Sequence, residues 1–149
     1  MFGKPAPKGS GRGWSGWIDS IFFRSKMELS FIVHLLREGI LFESAEKKRY
    51  GIEYIIDDNI KTYYTDFYLA ESGEFIEIKP RNLLGFGTNP EKFAAARRIH
   101  GDKFKIFTED DFHILERREI DELYENGRIE WVERFDKKYR ESNPDKGVS

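Results

Sequence analysis

The residue types best suited to chemistry are two carboxylates and a lysine in neighbouring apolar stretches. Asp66 lies within residues 63–69, and Glu77 and Lys79 lie within residues 75–79. A turn-forming sequence separates the two stretches, so together they predict a β-hairpin that carries all three side chains. Two carboxylates on one sheet face can chelate a divalent cation, and a bound cation can activate water for hydrolysis.

Strand alternation predicts which of these side chains share a face. Glu77 and Lys79 fall on one face of their strand, with Ile76 and Ile78 on the other. If Asp66 shares that face on the neighbouring strand, Asp66 and Glu77 can bind Mg²⁺ or Mn²⁺, with the Ile78 carbonyl as a further ligand. Lys79 would then orient the attacking water, and we expect it to be partly buried beside the acids. The alternative is an exposed face with a cross-strand ion pair, because Glu-x-Lys is a common sequence.

The first predicted helix runs from residue 25 to residue 38, where apolar residues recur at helical spacing and Gly39 follows. Ser25 and Glu28 fit a capping box, in which Glu28 would reach back to the backbone N–H of Ser25. Glu28 also lies beside the apolar positions, so it can instead point towards the strand site as an additional metal ligand. Both roles remain open at this point.

The remaining elements predict an α/β (α+β) fold with a mixed four-stranded sheet flanked by helices. Asn89 is expected to cap the second helix with Pro90 at its first position. The strand after that helix should run parallel to the third strand, as in a right-handed crossover. The predicted order is helix, three-stranded antiparallel meander, helix and strand, at residues 25–38, 50–56, 62–70, 75–79, 89–99 and 104–108, with a short extended segment at 40–43.

The C-terminal part predicts helical additions to this core. Residues 108–126 are strongly acidic with a helical apolar edge, which favours a solvated helix. Residues 128–139 place apolar side chains on one face and predict a last helix. The predicted organisation is an N-terminal arm at 1–17, a core at 18–112, helices at 113–141 and a flexible tail at 142–149.

Composition limits the classes of protein to consider. The chain has 149 residues, which suits one domain, and a net charge of −2, so any DNA-binding surface must be a local patch. Cysteine is absent and the three histidines match no zinc-binding spacing. No apolar run approaches the roughly 18 residues of a membrane-spanning helix, so we expect no membrane partner and a cytoplasmic location.

The N-terminal arm allows two interpretations. It is rich in glycine, proline and serine, which is typical of a flexible tail. It also carries cations for phosphates and tryptophans for stacking, which favours a nucleic-acid contact, and two tryptophans indicate that part of it packs. The residues concerned are Lys4, Lys8, Arg12, Trp14 and Trp17.

Three motifs together resemble the PD-(D/E)XK nuclease superfamily over roughly residues 22–112. They are Arg24-Ser25-x-x-Glu28, Tyr64-Thr65-Asp66-Phe67 and Glu77-Ile78-Lys79-Pro80. Within the superfamily they are similar to small phage and mobile-element enzymes: head-completion nucleases, TnsA-type transposase endonucleases and junction-resolving endonucleases. The restriction-endonuclease-like αβββαβ core of this superfamily matches the order predicted above.

The resemblance implies Mg²⁺-dependent hydrolysis of DNA to 5′-phosphate and 3′-hydroxyl ends. It assigns metal binding to Asp66 and Glu77, the catalytic lysine to Lys79 and an auxiliary acid to Glu28. Thr65 departs from the usual proline, which shapes the strand but supplies no ligand. Further cations proposed to contact DNA are Arg24, Arg81, Lys92 and Arg97.

Three alternatives remain for the activity. A structure-selective junction-resolving endonuclease would act as a homodimer, because two cuts need two sites. A sequence-reading nuclease would use residues 1–17 for groove contacts. A non-catalytic DNA-binding or assembly protein would keep the nuclease fold without cleaving DNA.

Overall fold

The computed structural model describes residues 13–142. The predicted DNA contacts Lys4, Lys8 and Arg12, and residues 143–149 of the predicted tail, therefore lie outside the described residues. The helices are α1 (Lys26–Glu38), α2 (Asn89–His100), α3 (Arg117–Glu125) and α4 (Glu133–Ser142). The strands are β1 (Gly16–Ile18), β2 (Ile21–Phe23), β3 (Glu43–Ser44), β4 (Ile52–Ile56), β5 (Asn59–Tyr63), β6 (Phe67–Leu69), β7 (Glu74–Ile78), β8 (Phe104–Phe107) and β9 (Ile129–Trp131).

The chain forms two compact units. The first comprises the described residues 13–30 and 114–142, and the second is Phe31–His113. The divisions predicted after residues 17 and 112 stay a prediction, and residues 18–30 group with the C-terminal segment in the first unit. Among residues 13–142, no helix combines the length and apolar character that crossing a bilayer requires.

The first unit contains an antiparallel sheet in the order β2-β1-β9. Asp19 and Ser20 turn the chain between β1 and β2 with φ angles of 48° and 71°, as a tight two-residue hairpin turn requires. Gly16 pairs with β9 at a point where a Cβ atom would lie 2.4 Å from the carbonyl oxygen of Glu130. Only glycine allows the backbones of β1 and β9 to come this close, so a side chain at position 16 would prevent the two strands from pairing there.

The helix predicted at residues 128–139 is wrong for residues 129–131, which form strand β9. Residues 129–131 pair with β1, and α4 begins only at Glu133. Alternating burial of Ile129 and Trp131 suits a strand as well as a helix, and pairing with a distant strand decides between them. The acidic segment is likewise helical only from Arg117, where Glu116 and Glu119 form a capping box.

The tryptophans of the predicted arm belong to the first unit. Trp14 lies with its ring centroid 5.6 Å from that of Trp131 and 5.1 Å from that of Phe135. Trp17 lies in β1 and is 7% exposed. Packing of part of this segment is thus confirmed, and the flexible-tail interpretation is wrong for residues 14–17. A ring as buried as Trp17 offers almost no face to a base.

The second unit contains a mixed sheet in the order β3-β6-β7-β8. Its strands pair antiparallel except β7 and β8, which are parallel as predicted from the intervening helix. Phe31 of α1 packs on this sheet, with its ring centroid 5.5 Å from that of Phe67 and 5.4 Å from that of Phe107. The mixed α+β class and the four-stranded mixed sheet flanked by helices are confirmed.

The strand predicted at residues 62–70 is two strands in two sheets. Asp57 and Asp58 have φ angles of 51° and 61°, so β4 and β5 form a tight hairpin of their own that ends at Tyr63. Residues 64–66 leave this hairpin, and β6 then enters the four-stranded sheet. The first strand of the antiparallel set is therefore β3, at the end of the predicted extended segment, and not residues 50–56.

Helix α2 begins as predicted but with a different cap. Thr88 occupies the N-cap position, and the Asn89 side-chain amide donates to the Leu83 carbonyl oxygen at 2.7 Å. Gly101 ends the helix with a φ of 60°. The helix contributes Phe93, Ala95 and Ala96 to a core cluster with Ile52, Tyr54, Tyr63 and Phe104.

Candidate functional site

The centre of the candidate site is Glu77, a carboxylate buried in strand β7. Its residue is 4% exposed, and the strand residues beside it, 75, 76 and 78, are buried as well. A carboxylate without partners in such a place would cost several kcal/mol, so its neighbours decide which charge state it holds.

Two side chains engage the two oxygens of Glu77. The Tyr63 hydroxyl donates to Oε1 at 2.5 Å, and Lys79 Nζ lies 3.5 Å from Oε2. The Lys79 side chain is 27% exposed. The expectation that Lys79 is partly buried and paired with an acid is therefore confirmed, whereas its catalytic role stays a prediction.

Asp66 reaches the same place from outside any strand. Its backbone N–H donates to the Ile76 carbonyl at 3.0 Å, and its Oδ2 accepts from the Ile78 N–H at 2.7 Å. The register that pairs Phe67 with Ile76, extended by one residue, sets Asp66 opposite Glu77. The register therefore sets the two acids side by side, as predicted. The Ile78 N–H bonds to the Asp66 side chain, because residue 66 does not continue the strand.

Tyr63 is the site residue that sequence reasoning missed. It closes β5, is 7% exposed, and its pKa is raised far above the ordinary value by burial, then by the charges of Glu77 and Asp66. It therefore remains a neutral hydrogen-bond donor. The only signal was a tyrosine three residues before the aspartate, and its relevance depended on a strand break that local patterns did not show.

Lys92 brings a second cation from helix α2. Its Nζ lies 5.8 Å from the centroid of the Tyr63 ring, and its charge acts to lower the pKa of Glu77. We call Tyr63, Asp66, Glu77, Lys79 and Lys92 the Glu77 cluster.

The remaining predicted cations lie elsewhere. Arg97 is exposed, with its guanidinium 5.6 Å from the Phe104 ring centroid. Arg24 lies in the first unit, 5.3 Å from the ring of Phe22. Arg81 pairs with Asp110 on the surface, so a phosphate would have to compete for its charge.

Glu28 has a defined structural role at the start of α1. Its backbone N–H donates to Ser25 Oγ at 3.0 Å, and its own Oε1 accepts from the backbone N–H of Arg24 at 3.1 Å. The Ser25 half of the predicted capping box is therefore confirmed, whereas the Glu28 carboxylate accepts from the backbone N–H of Arg24 rather than from that of Ser25. Metal binding by Glu28 stays a prediction.

Burial dominates the electrostatics of Glu77. Removal from water raises the pKa of the carboxyl group, and the Tyr63 hydrogen bond and the Lys79 charge only partly oppose that rise. The ionised form is therefore stabilised incompletely by the protein alone. A cation bound beside it would favour ionisation.

We expect Glu77→Gln to raise the free energy of unfolding by about 1 kcal/mol near pH 7. Because the folded pKa lies above the ordinary value of 4.5, wild-type stability falls as pH rises through that value towards the folded pKa. Below pH 4.5 the Glu77 carboxyl group is protonated in both the folded and the unfolded state, so Glu77→Gln should no longer gain stability over the wild type. Thermal unfolding of both proteins at acid and neutral pH measures this difference.

Glu74→Gln on the same strand is the matched control. The pKa of Glu74 is lowered by hydrogen bonds from Lys105 and Ser72, so its carboxylate stabilises the folded state at neutral pH. This variant should lose stability where Glu77→Gln gains it. A neutral-pH loss for Glu77→Gln would contradict the prediction.

The Glu77 cluster has the donor types that Mg²⁺ prefers. Asp66 and Glu77 supply carboxylate oxygens, and the cluster contains a buried acid whose charge is incompletely balanced. Within the part of the chain that the structure describes, no group of three or more His, Cys, Asp or Glu side chains is placed to hold a metal ion. The two carboxylates therefore fit a magnesium site in kind, with the other ligands coming from backbone, water or substrate.

Comparisons with known proteins found no match for this chain among family models, curated proteins or solved structures.

Proposed function

We propose that the chain is a metal-dependent DNA endonuclease with a restriction-endonuclease-like core. The observation that carries the proposal is Lys79 held 3.5 Å from the buried carboxylate of Glu77, with Asp66 bound to the intervening Ile78 N–H. If Glu77 and Lys79 formed only a surface ion pair, both side chains would be solvent-exposed. Glu77 is instead 4% exposed. A buried acid kept beside a lysine instead suits a site that gains from binding a cation.

The order of elements along the chain supports the same class. Helix α1 leads into β3, β6 and β7, then α2 and the parallel strand β8, which follows the αβββαβ order. The hairpin β4–β5 is an insertion between the first two strands of that order. On this proposal, Asp66, Glu77 and Lys79 would correspond to the acids and the lysine of the superfamily.

Asp66, Glu77 and the Ile78 carbonyl would hold Mg²⁺ or Mn²⁺. A cation bound there lowers the pKa of a bound water and offsets negative charge on the phosphate. Cleavage on this basis leaves 5′-phosphate and 3′-hydroxyl ends.

The protein's own side chains prepare the site. Tyr63 holds Oε1 of Glu77, which leaves Oε2 facing the Lys79 ammonium. Lys79 is positioned to orient the attacking water through its N–H donors, and it balances charge on the phosphate. Lys92 adds positive charge from α2, where it favours an anionic substrate.

A second candidate is a non-catalytic DNA-binding or assembly protein on the same fold. Both carboxylate oxygens of Glu77 already have partners within the protein, which a purely structural network would also show. This candidate predicts DNA binding without Mg²⁺-dependent cleavage.

The test is incubation of the protein with supercoiled plasmid, linear duplex and a four-way junction, each with Mg²⁺ and with EDTA. The endonuclease proposal predicts cleavage with Mg²⁺ alone, ends that DNA ligase can join, and no cleavage by Asp66→Asn. Asp58→Asn, on the exposed hairpin turn, is the matched control and should cleave normally. Cleavage restricted to the junction favours the dimeric, structure-selective alternative, and binding without cleavage favours the non-catalytic one.

A further inference from the structure

Phe86 is the most exposed large hydrophobic side chain in residues 13–142, at 70%. It lies in the segment 80–88, which joins β7 to α2. Leaving such a ring in water forgoes the favourable free energy of burying it. Its exposed face is available for a contact outside the core.

The segment holds Phe86 outward through a network of hydrogen bonds. The Leu83 N–H donates to the Pro80 carbonyl at 2.9 Å, the Phe86 N–H donates to the Leu83 carbonyl at 3.1 Å, and the Asn89 N–H donates to the Phe86 carbonyl at 3.1 Å. Leu84 packs against the core cluster of this unit. The same short segment thus anchors one apolar side chain in the core and presents another to solvent.

Open space surrounds the backbone on both sides of Phe86. A Cβ atom built on Gly85 or on Gly87 would meet no atom within 4 Å, and Gly87 has a φ of 58°. Glycines flanking an exposed ring allow a flat ligand to approach closely.

Residues of the Glu77 cluster flank the segment on both sides. Lys79 precedes it and Lys92 lies in the first turns of the helix that follows, and both act on Glu77. Two consecutive hydrogen-bonded turns, Pro80 to Leu83 and Leu83 to Phe86, each hold their end Cα atoms within about 7 Å, so Phe86 lies within about 14 Å of Pro80. That distance corresponds to about four nucleotides at 3.4 Å per step.

We infer that Phe86 stacks on an unpaired base of the DNA beside the scissile phosphate and so directs the protein to single-stranded or branched DNA. The ring has no polar atom with which to read base edges, but it fits the face of any base. In a duplex those faces are covered by neighbouring base pairs, so the contact selects unpaired DNA without selecting sequence. This inference rests on the proposed function for its ligand, DNA.

The test is equilibrium binding to a single-stranded oligonucleotide, its duplex and a four-way junction, with Ca²⁺ replacing Mg²⁺. We expect Phe86→Ala to lose about 5- to 150-fold in affinity for the single strand, the equivalent of 1–3 kcal/mol per stacked base, and to change little on the duplex. Phe86→Tyr should retain binding, and Phe86→Leu should resemble the alanine variant because it keeps apolar area without a ring. Ile99→Ala, 57% exposed on α2, is the control and should bind as wild type.

Several results would overturn the inference. Unchanged single-strand affinity of Phe86→Ala, recovery by leucine, or an equal loss on duplex would each contradict stacking on unpaired bases. A change of oligomeric state in Phe86→Ala, measured by light scattering, would assign the ring to a second copy of the chain instead.

Failure of the inference is distinguishable from failure of the proposed function. Mg²⁺-dependent cleavage with unchanged binding of Phe86→Ala refutes only the role of Phe86. Selective loss of single-strand binding, with no cleavage by any variant, refutes only the nuclease activity. Absence of DNA binding by the wild type refutes both.

Discussion

Lys79→Ala is expected to reduce the rate of Mg²⁺-dependent DNA cleavage by about 10²- to 10³-fold. Lys79 lies 3.5 Å from Oε2 of Glu77, the proposed metal-binding acid, and alanine removes both its charge and its N–H donors. The loss should appear in single-turnover cleavage with enzyme in excess, which isolates chemistry from product release.

Lys105→Ala is the matched control for this variant. Lys105 lies on the neighbouring strand β8 and pairs with Glu74 at the surface, away from the Glu77 cluster. It removes the same charge from the same sheet, so its cleavage rate should stay near that of the wild type. Wild-type rates for Lys79→Ala, with the same thermal unfolding as Lys105→Ala, would refute a catalytic role for Lys79.

Trp131→Ala is expected to lower the free energy of unfolding by about 3–5 kcal/mol. Trp131 is fully buried in the first unit, with ring centroids 4.8 Å from Phe135, 4.9 Å from Tyr139, 5.6 Å from Trp14 and 5.7 Å from Phe23. Alanine would leave a cavity that these rings line on several sides. Urea denaturation followed by far-ultraviolet circular dichroism measures the loss.

Trp131→Phe separates the loss of the aromatic ring from the loss of the indole N–H, which both variants remove. The Trp131 Nε1 atom is buried without a hydrogen-bond partner among the residues that the structure describes, so phenylalanine removes no bond. Its expected cost is about 1–2 kcal/mol, from the smaller ring alone. Equal losses for the two variants would show that ring packing around position 131 is not what stabilises the unit.

Elements with strong local signals were predictable. Gly39 and Gly101 end their helices at positive φ, as the sequence indicates, since glycine adopts that conformation without a Cβ penalty. The parallel pairing of β7 and β8 follows from the helix between them. Alternation in residues 75–79 likewise predicts that Glu77 and Lys79 share a face, and their side chains are paired.

Elements that depend on distant pairing were not predictable. Residues 62–70 look like one strand, because β5 and β6 are both rich in strand-forming residues and only their partners differ. Residues 129–131 fit a helix or a strand until β1 pairs with them. Local propensity is worth tenths of a kcal/mol per residue, and pairing or burial against a distant segment outweighs it.

The chemical types at the candidate site can be read from the chain: two acids and a lysine within 14 residues, spaced for neighbouring strand segments. How these side chains meet depends on the fold. Strand β5 ends at Tyr63, and the hydroxyl of that residue donates a hydrogen bond to Glu77. The fold also buries Glu77 within the sheet. The reason is physical: residue types follow from the chain alone, whereas burial and therefore pKa depend on segments that meet only after folding.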